Sequence, residues 1–125
     1  PSTAAMKFIG KSKDEYFDFI CSFLGKGEFA TRFAIVALMD YYLDDEYTDR
    51  VLGIYLSTKS GEYYINTALA WALSIAFIKY ESKVMPILQS RNLDSDVQNK
   101  AIQKICDSYR VSKETKSKIK EYKIR

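Results

Sequence analysis

The chain has 125 residues, of which 47% are hydrophobic and 14% aromatic, and its formal net charge is +3. This length and apolar content fit one folded domain and argue against intrinsic disorder. The lack of histidine excludes Ser-His-Asp and Cys-His catalysis within this chain. Cys21 and Cys106 are far apart in sequence, so neither a zinc site nor a disulfide framework is indicated, and we expect no metal or cofactor.

The positive charge is concentrated at the C-terminal end. Residues 94–125 hold nine Lys and Arg against five Asp and Glu, whereas residues 1–93 hold ten against eleven. A basic end suits a polyanion such as nucleic acid, and a solvated lysine-rich helix is the alternative. The longest apolar stretch, residues 68–78, is about half the length needed to cross a bilayer. We therefore expect no membrane partner.

Helical spacing of apolar residues predicts seven helices joined by short turns. Ser12 and Glu15 form a capping box at the start of the first helix, and Gly25 and Gly27 can supply the turn that ends it. Residues 1–6 are expected to be disordered or vector-derived, which leaves residues 7–125 as the folded domain. The predicted helices cover residues 12–24, 28–41, 44–58, 62–80, 82–92 and 94–109, and Ser112 is expected to cap a basic seventh helix.

The predicted helices repeat as pairs. An amphipathic helix, a tight turn and a more apolar helix recur, and the second members start near positions 28, 62 and 96. A period of about 34 residues is typical of helical repeats. Tetratricopeptide repeats have a similar period, but their usual Trp, Gly and Pro positions are not seen. The pattern predicts an all-α superhelix of stacked antiparallel helix pairs, HEAT-like, as a fragment of a larger solenoid.

Two residues of the second and fourth predicted helices are candidates for binding. Arg32 lies among apolar neighbours near a helix start, where only a carboxylate or a phosphate would explain a cation. A buried pair with Asp40 and a phosphate contact are both open. Trp71 shares a partly polar stripe with Thr67 and Ser74, so it either faces a groove or belongs to the core.

Equivalent repeat positions suggest a row of polar groups. Arg32, Asn66 and Lys100 are separated by one repeat period each, and a solenoid presents equivalent positions on one surface. Such a row of donors on the concave side fits a phosphate backbone. It would equally fit an acidic peptide or protein, because the residue types do not distinguish these partners.

Three segments together resemble the DNA alkylation repair enzyme family. They are EFATRFAIVALMDYY at residues 28–42, YYINTALAWALS at 63–74, and NKAIQKI at 99–105 followed by SYRVSKE at 108–114. The resemblance extends from about residue 7 to the C-terminus and covers what would be the C-terminal half of such an enzyme. Family members with activity are HEAT-like repeat proteins that excise N3- and N7-alkylated purines by hydrolysis of the N-glycosidic bond.

The resemblance implies roles for individual residues. Trp71 would line the groove beside the lesion, and Arg32 would contact the DNA backbone and a catalytic carboxylate. That carboxylate belongs to a Trp-rich segment upstream of this chain, so we expect the chain to be inactive alone. The DNA-binding residues implied by the repeat row and the resemblance are Arg32, Asn66, Thr67, Trp71, Lys100 and Lys104.

The sequence thus predicts the DNA-binding region of a HEAT-like alkylpurine DNA glycosylase. The alternative is a catalytically silent HEAT-like scaffold for protein–protein interaction. The expected partner is alkylated double-stranded DNA, and the expected location is the cytoplasm, in association with the nucleoid. A homodimer through the uncovered face of the first helix pair is a further expectation, because a truncated solenoid exposes apolar surface there.

Overall fold

The computed structural model describes residues 12–59 and 61–124. Within these ranges the chain is all-helical and forms seven helices, which confirms the all-α prediction. None of these helices is long and apolar enough to span a bilayer. The helices are α1 (Lys13–Cys21), α2 (Glu28–Tyr42), α3 (Thr48–Ser57), α4 (Tyr63–Lys79), α5 (Glu81–Ser90), α6 (Ser95–Cys106) and α7 (Lys113–Lys120). The predicted N-terminal segment, residues 1–6, lies outside the described residues.

The two predicted serine caps form, but the Glu15 side chain accepts no hydrogen bond from the Ser12 amide, so the capping box among the described residues is half formed. The Ser12 hydroxyl accepts a hydrogen bond from the Glu15 amide at 3.1 Å and begins α1. The Ser112 hydroxyl accepts one from the Thr115 amide at 3.2 Å and begins α7. Each bond satisfies a backbone donor that the first turn of a helix leaves unpaired. Gly27 precedes α2 with a φ of +105°, a conformation that residues with a side chain rarely adopt.

Three helix boundaries differ from the prediction because tight turns replace regular helix. The first helix ends at Cys21 rather than at residue 24, and the amides of the next residues bond three positions back. The sixth ends at Cys106 rather than at residue 109 for the same reason. Asp44 does not begin α3: its carboxylate accepts from the Tyr47 amide at 2.9 Å and stabilises the turn before the helix.

The second members of the helix pairs pack side by side. The most extensive contacts join α4 to α6 and α2 to α4, so α2, α4 and α6 form a row with α4 in its centre. The other main contacts join α1 and α3 to α2, α5 to α4, and α7 to α6. This arrangement explains why α4 is apolar nearly all round, with Leu69, Leu73 and Phe77 buried. The superhelical curvature of a HEAT-like stack stays a prediction.

Buried tyrosines and amides link the helices by hydrogen bonds. The hydroxyl of Tyr55 in α3 donates to the Ile35 carbonyl of α2 at 2.8 Å inside the core. Gln98 in α6 is fully buried, and its Nε2 donates to the carbonyls of Leu88 at 2.8 Å and Tyr122 at 2.9 Å. The Tyr122 carbonyl gains its donor from Gln98, and the Leu88 carbonyl also accepts from the Arg91 amide at 3.3 Å. The two Gln98 bonds fix α5 and the C-terminal segment against α6.

Candidate functional site

Two adjoining clefts open on the row formed by α2, α4 and α6. The first, of about 170 Å³, is lined by Arg32, Tyr64, Thr67, Ala68, Trp71 and Lys104. The second, of about 230 Å³, is lined by Glu28, Phe29, Arg32 and Tyr64. Because Arg32 and Tyr64 line both clefts, the two form one continuous surface. We call the surface made by Phe29, Arg32, Tyr64, Thr67, Trp71 and Lys104 the aromatic–basic face.

Helical spacing explains why these side chains meet. Phe29 and Arg32 are three residues apart on α2, and Tyr64, Thr67 and Trp71 are separated by three and then four residues on α4. Such separations place side chains on one side of a helix. Lys104 is contributed by α6. Three neighbouring helices therefore each present one stripe to the same surface, and four of the sequence-predicted site residues, Arg32, Thr67, Trp71 and Lys104, meet there.

Arg32 is exposed, and its guanidinium forms no ion pair within the described ranges. The sequence left a buried pair with Asp40 open. The two residues are two turns apart on α2, both are exposed, and they form no such pair. A guanidinium beside aromatic rings and without a carboxylate partner is available to bind an external anion in a planar, bidentate manner.

Trp71 faces the cleft and not the core. Its side chain is 42% exposed, whereas its α4 neighbours Ala70, Ala72 and Leu73 are buried. The predicted polar stripe of Thr67, Trp71 and Ser74 is only partly correct. Ser74 is buried, and its hydroxyl donates to the Trp71 carbonyl at 2.7 Å. A half-covered indole offers a flat apolar surface to a ligand while its packed edge keeps it oriented.

The hydroxyl of Thr67 is an unsatisfied group in the cleft. Its Oγ1 is buried and has no hydrogen-bond partner among the residues that the structure describes. A buried hydroxyl without a partner carries a desolvation cost. Thr67 lines the cleft beside Trp71 and Arg32, and its side chain must rotate to expose the hydroxyl before a ligand there can bond to it.

Asn66 and Lys100 do not form the predicted row with Arg32. Asn66 is only 4% exposed, and its Nδ2 donates to the Asp96 carboxylate at 3.1 Å. Lys100 pairs with the same carboxylate at 3.1 Å and lies 4.3 Å from the centre of the Tyr63 ring. The hydrogen bonds from Asn66 and Lys100 lower the pKa of Asp96. The repeat period therefore predicted the positions of Asn66 and Lys100 along their helices but not the direction of the Asn66 side chain. Asn66 points towards α6, and its hydrogen bond to Asp96 links α4 to α6.

Phe29 and Tyr64 were missed as site residues. Phe29 lies in the apolar run of α2, yet it is 87% exposed. Tyr64 lies at the start of the apolar run of α4 and is 58% exposed. The available signal was spacing: Tyr64 lies seven residues, or two helical turns, before Trp71, and Phe29 lies three before Arg32.

The outer end of the aromatic–basic face is acidic. Glu28, at the start of α2, lines the second cleft. A side-chain hydrogen bond with Glu62 and the charge of that carboxyl group raise the pKa of Glu28. A neighbouring carboxylate opposes the second negative charge that ionisation of Glu28 would add. An anion bound to the face is therefore expected at the Arg32 and Lys104 end, away from Glu28.

Two other surface features lie away from this face. A cleft of about 570 Å³ lies between the loops before α2 and α4 and is lined by residues such as Gly25, Thr58 and Lys59, which include no predicted site residue. On the side of the first helix pair, Phe33 is exposed and lines a shallow cleft with Tyr16. No group of three or more potential metal ligands occurs within residues 12–59 and 61–124.

Comparison of the chain with known proteins identifies no family and no related structure. The chain matches no protein-family model, no curated protein and no solved structure.

Proposed function

We propose that this chain is the DNA-binding, HEAT-like repeat region of an alkylpurine DNA glycosylase. One observation carries the proposal: an unpaired arginine, a half-exposed tryptophan and a lysine line a single cleft on three adjacent helices. The sequence resemblance assigns two of these residues, Arg32 and Trp71, to a DNA groove, and Lys104 is among the predicted DNA-binding residues. Their charges and ring are the groups that bind phosphate and contact a sugar or base.

In this proposal the residues of the face have separate tasks. Arg32 and Lys104 contact phosphates, and each contact releases a counterion from the DNA. Trp71 contacts the nucleoside at the centre of the cleft, where its quadrupole favours a cationic alkylpurine over a neutral one. Thr67 supplies a hydrogen bond at the cleft once its side chain rotates and exposes the buried hydroxyl. Binding of alkylated duplex in the cytoplasm, with the nucleoid, is the corresponding cellular role.

Base excision is proposed for the intact protein and not for this chain. Hydrolysis of the N-glycosidic bond develops positive charge on the sugar and needs a nearby carboxylate and a positioned water. The resemblance places that carboxylate in a segment ahead of this chain. The positive charge of the alkylated base already weakens the bond, and the repeat region contributes the position of the DNA and the Trp71 ring that faces the cationic base.

Fluorescence anisotropy with a labelled duplex tests the DNA-binding part. We expect the dissociation constant to rise steeply with salt, and Arg32→Ala and Lys104→Ala each to reduce the slope of log K against log salt by about 0.9. Lys26→Ala is the matched control, because Lys26 is an exposed lysine that lines neither cleft. Equal effects of Lys104→Ala and Lys26→Ala would show that binding is diffuse and would contradict a defined face.

A protein-interaction scaffold is the second candidate, favoured by the exposed apolar surface around Phe33 and by the acidic end at Glu28. In that case the duplex would bind weakly and without dependence on Arg32.

The same apolar surface is where we propose that a second copy of the chain docks. Sedimentation equilibrium should then show a dimer that Phe33→Glu dissociates, and a monomer at high concentration would contradict it.

A further inference from the structure

We propose that the aromatic–basic face is a stacking platform for unpaired bases, so that it binds single-stranded or locally opened nucleic acid more tightly than intact duplex. This inference rests on the proposed binding of nucleic acid and specifies the form that is bound. Its basis is that three aromatic side chains, Phe29, Tyr64 and Trp71, are all substantially exposed on one continuous surface.

Exposed aromatic rings at this density need a reason. A folded chain loses free energy by leaving rings in water, and the core of this protein buries comparable side chains such as Tyr42, Tyr47 and Tyr55. On the aromatic–basic face three rings are instead left in contact with water. Of these, Tyr64 contacts Tyr63 edge to face at 5.3 Å, and Lys100 lies over the Tyr63 ring at 4.3 Å. These contacts support the Tyr64 ring from the side and leave it 58% exposed.

The spacing of the rings suits separated bases. Tyr64 and Trp71 are seven residues apart on α4, which is about 10.5 Å along the helix axis at about 1.5 Å per residue. In a duplex, about three base steps of about 3.4 Å fill that distance, and their flat surfaces are covered by each other. Only unpaired bases can turn a flat surface towards Tyr64 and Trp71. An intact duplex would touch the rings by its backbone alone, so the nucleoside contact proposed for Trp71 requires a locally opened duplex.

The charges on the face fit a strand that follows the rings. Arg32 lies between the two clefts and lines both, so it can bind a phosphate between successive bases or stack on one of them. Lys104 lies at the Trp71 cleft, and neither cation has an ion pair among the described side chains. Rings that alternate with free cations are the arrangement by which proteins bind single strands without strong sequence preference.

The partner class follows from the combination of features. An acidic peptide would use Arg32 and Lys104 but would gain little from three separate flat rings. A polyanion without bases, such as heparin, would use the charges alone. A single-stranded nucleic acid uses both, and loss of one stacking ring should weaken its binding about fivefold or more.

The experiment compares three labelled or competing probes: a mixed-sequence single strand, the duplex of the same sequence, and heparin as a competitor. Wild-type protein should bind the single strand more tightly than the duplex. Tyr64→Ala and Phe29→Ala should each weaken single-strand binding about fivefold or more and change duplex and heparin binding little, while Tyr64→Phe should retain it. Tyr109→Ala is the matched control, because Tyr109 is fully exposed and lines neither cleft.

The outcomes separate this inference from the proposed function. If the duplex binds as tightly as the single strand and Tyr64→Ala changes neither, the stacking platform is wrong while DNA binding survives. If no nucleic acid binds at low salt, the proposed function fails as well. If heparin and both nucleic acids respond equally to every variant, only charge is recognised, which also overturns the inference. Far-UV circular dichroism of each variant confirms that it folds.

Discussion

Removing Trp71 should cost the protein much less stability than removing a core aromatic residue from the same helix. Phe77 lies six residues further along α4 and is only 1% exposed, whereas Trp71 is 42% exposed. Phe77→Ala should lose about 3–5 kcal/mol, because it removes buried surface and leaves a closed cavity. If Trp71 belongs to the cleft, Trp71→Ala leaves no closed cavity. The variant then loses only the stability that comes from the covered part of the indole side chain.

The structure gives the size of that contribution. A fully enclosed aromatic side chain buries about 150–250 Å². With 42% of Trp71 exposed, about 90–145 Å² is covered, and part of that surface stays covered by alanine. At about 25 cal/mol per Å², Trp71→Ala should lose about 2 kcal/mol in the free energy of unfolding. The expected difference between the two variants is therefore about 2 kcal/mol.

Urea unfolding followed by far-UV circular dichroism measures both variants on one scale. Circular dichroism is needed because Trp71 is the only tryptophan of the chain, so its removal also removes the fluorescence signal. With similar m-values, the variant midpoints should differ by about 1 M urea. A Trp71→Ala variant that is as unstable as Phe77→Ala would refute the reasoning, because it would make Trp71 a core residue and remove the ring from the proposed binding surface.

Two further predictions concern buried polar contacts. Gln98→Leu should lose about 1–3 kcal/mol, since it leaves the Tyr122 carbonyl without its donor and the Leu88 carbonyl with only the 3.3 Å bond from the Arg91 amide, and a loss below about 0.5 kcal/mol in urea unfolding would contradict this. Burial, and secondarily the Asp40 charge, raise the pKa of Tyr55, so the folded state keeps its phenol proton where the unfolded chain releases it. The free energy of unfolding should therefore fall above about pH 10 by up to about 1.4 kcal/mol per pH unit. Tyr55→Phe lacks this group, so its stability should fall less steeply between about pH 10 and 12. Equal slopes of stability against pH for the wild type and Tyr55→Phe would argue against a buried neutral Tyr55.

Helix positions followed from the sequence, and helix rotation did not. The capping residues Ser12 and Ser112 and the apolar run of α4 placed the helices because caps and periodicity are local properties. The repeat period also placed Asn66 in register with Arg32, but Asn66 faces Asp96 and not the cleft. A helix that is apolar all round has no strong periodic signal, so its rotation is set by packing against its neighbours.

The candidate site was predicted in part for the same reason. Arg32 was recognisable because a cation near a helix start gains nothing locally, and it lies unpaired at the cleft. Phe29 and Tyr64 were indistinguishable from core residues in the sequence, since an aromatic ring reads as core wherever it stands in an apolar run. Their exposure depends on where α6 and the loop before α2 leave the surface open, which is a tertiary property.

Titration of the intrinsic fluorescence of Trp71 tests most directly whether the aromatic–basic face binds nucleic acid. Trp71 is the only tryptophan, so its emission reports on this face alone. We expect single-stranded or duplex DNA added at low salt to quench the emission, salt to restore it, and Arg32→Ala to require much more DNA for the same quenching. DNA that binds by anisotropy without changing the Trp71 emission would place the binding surface elsewhere and contradict the account.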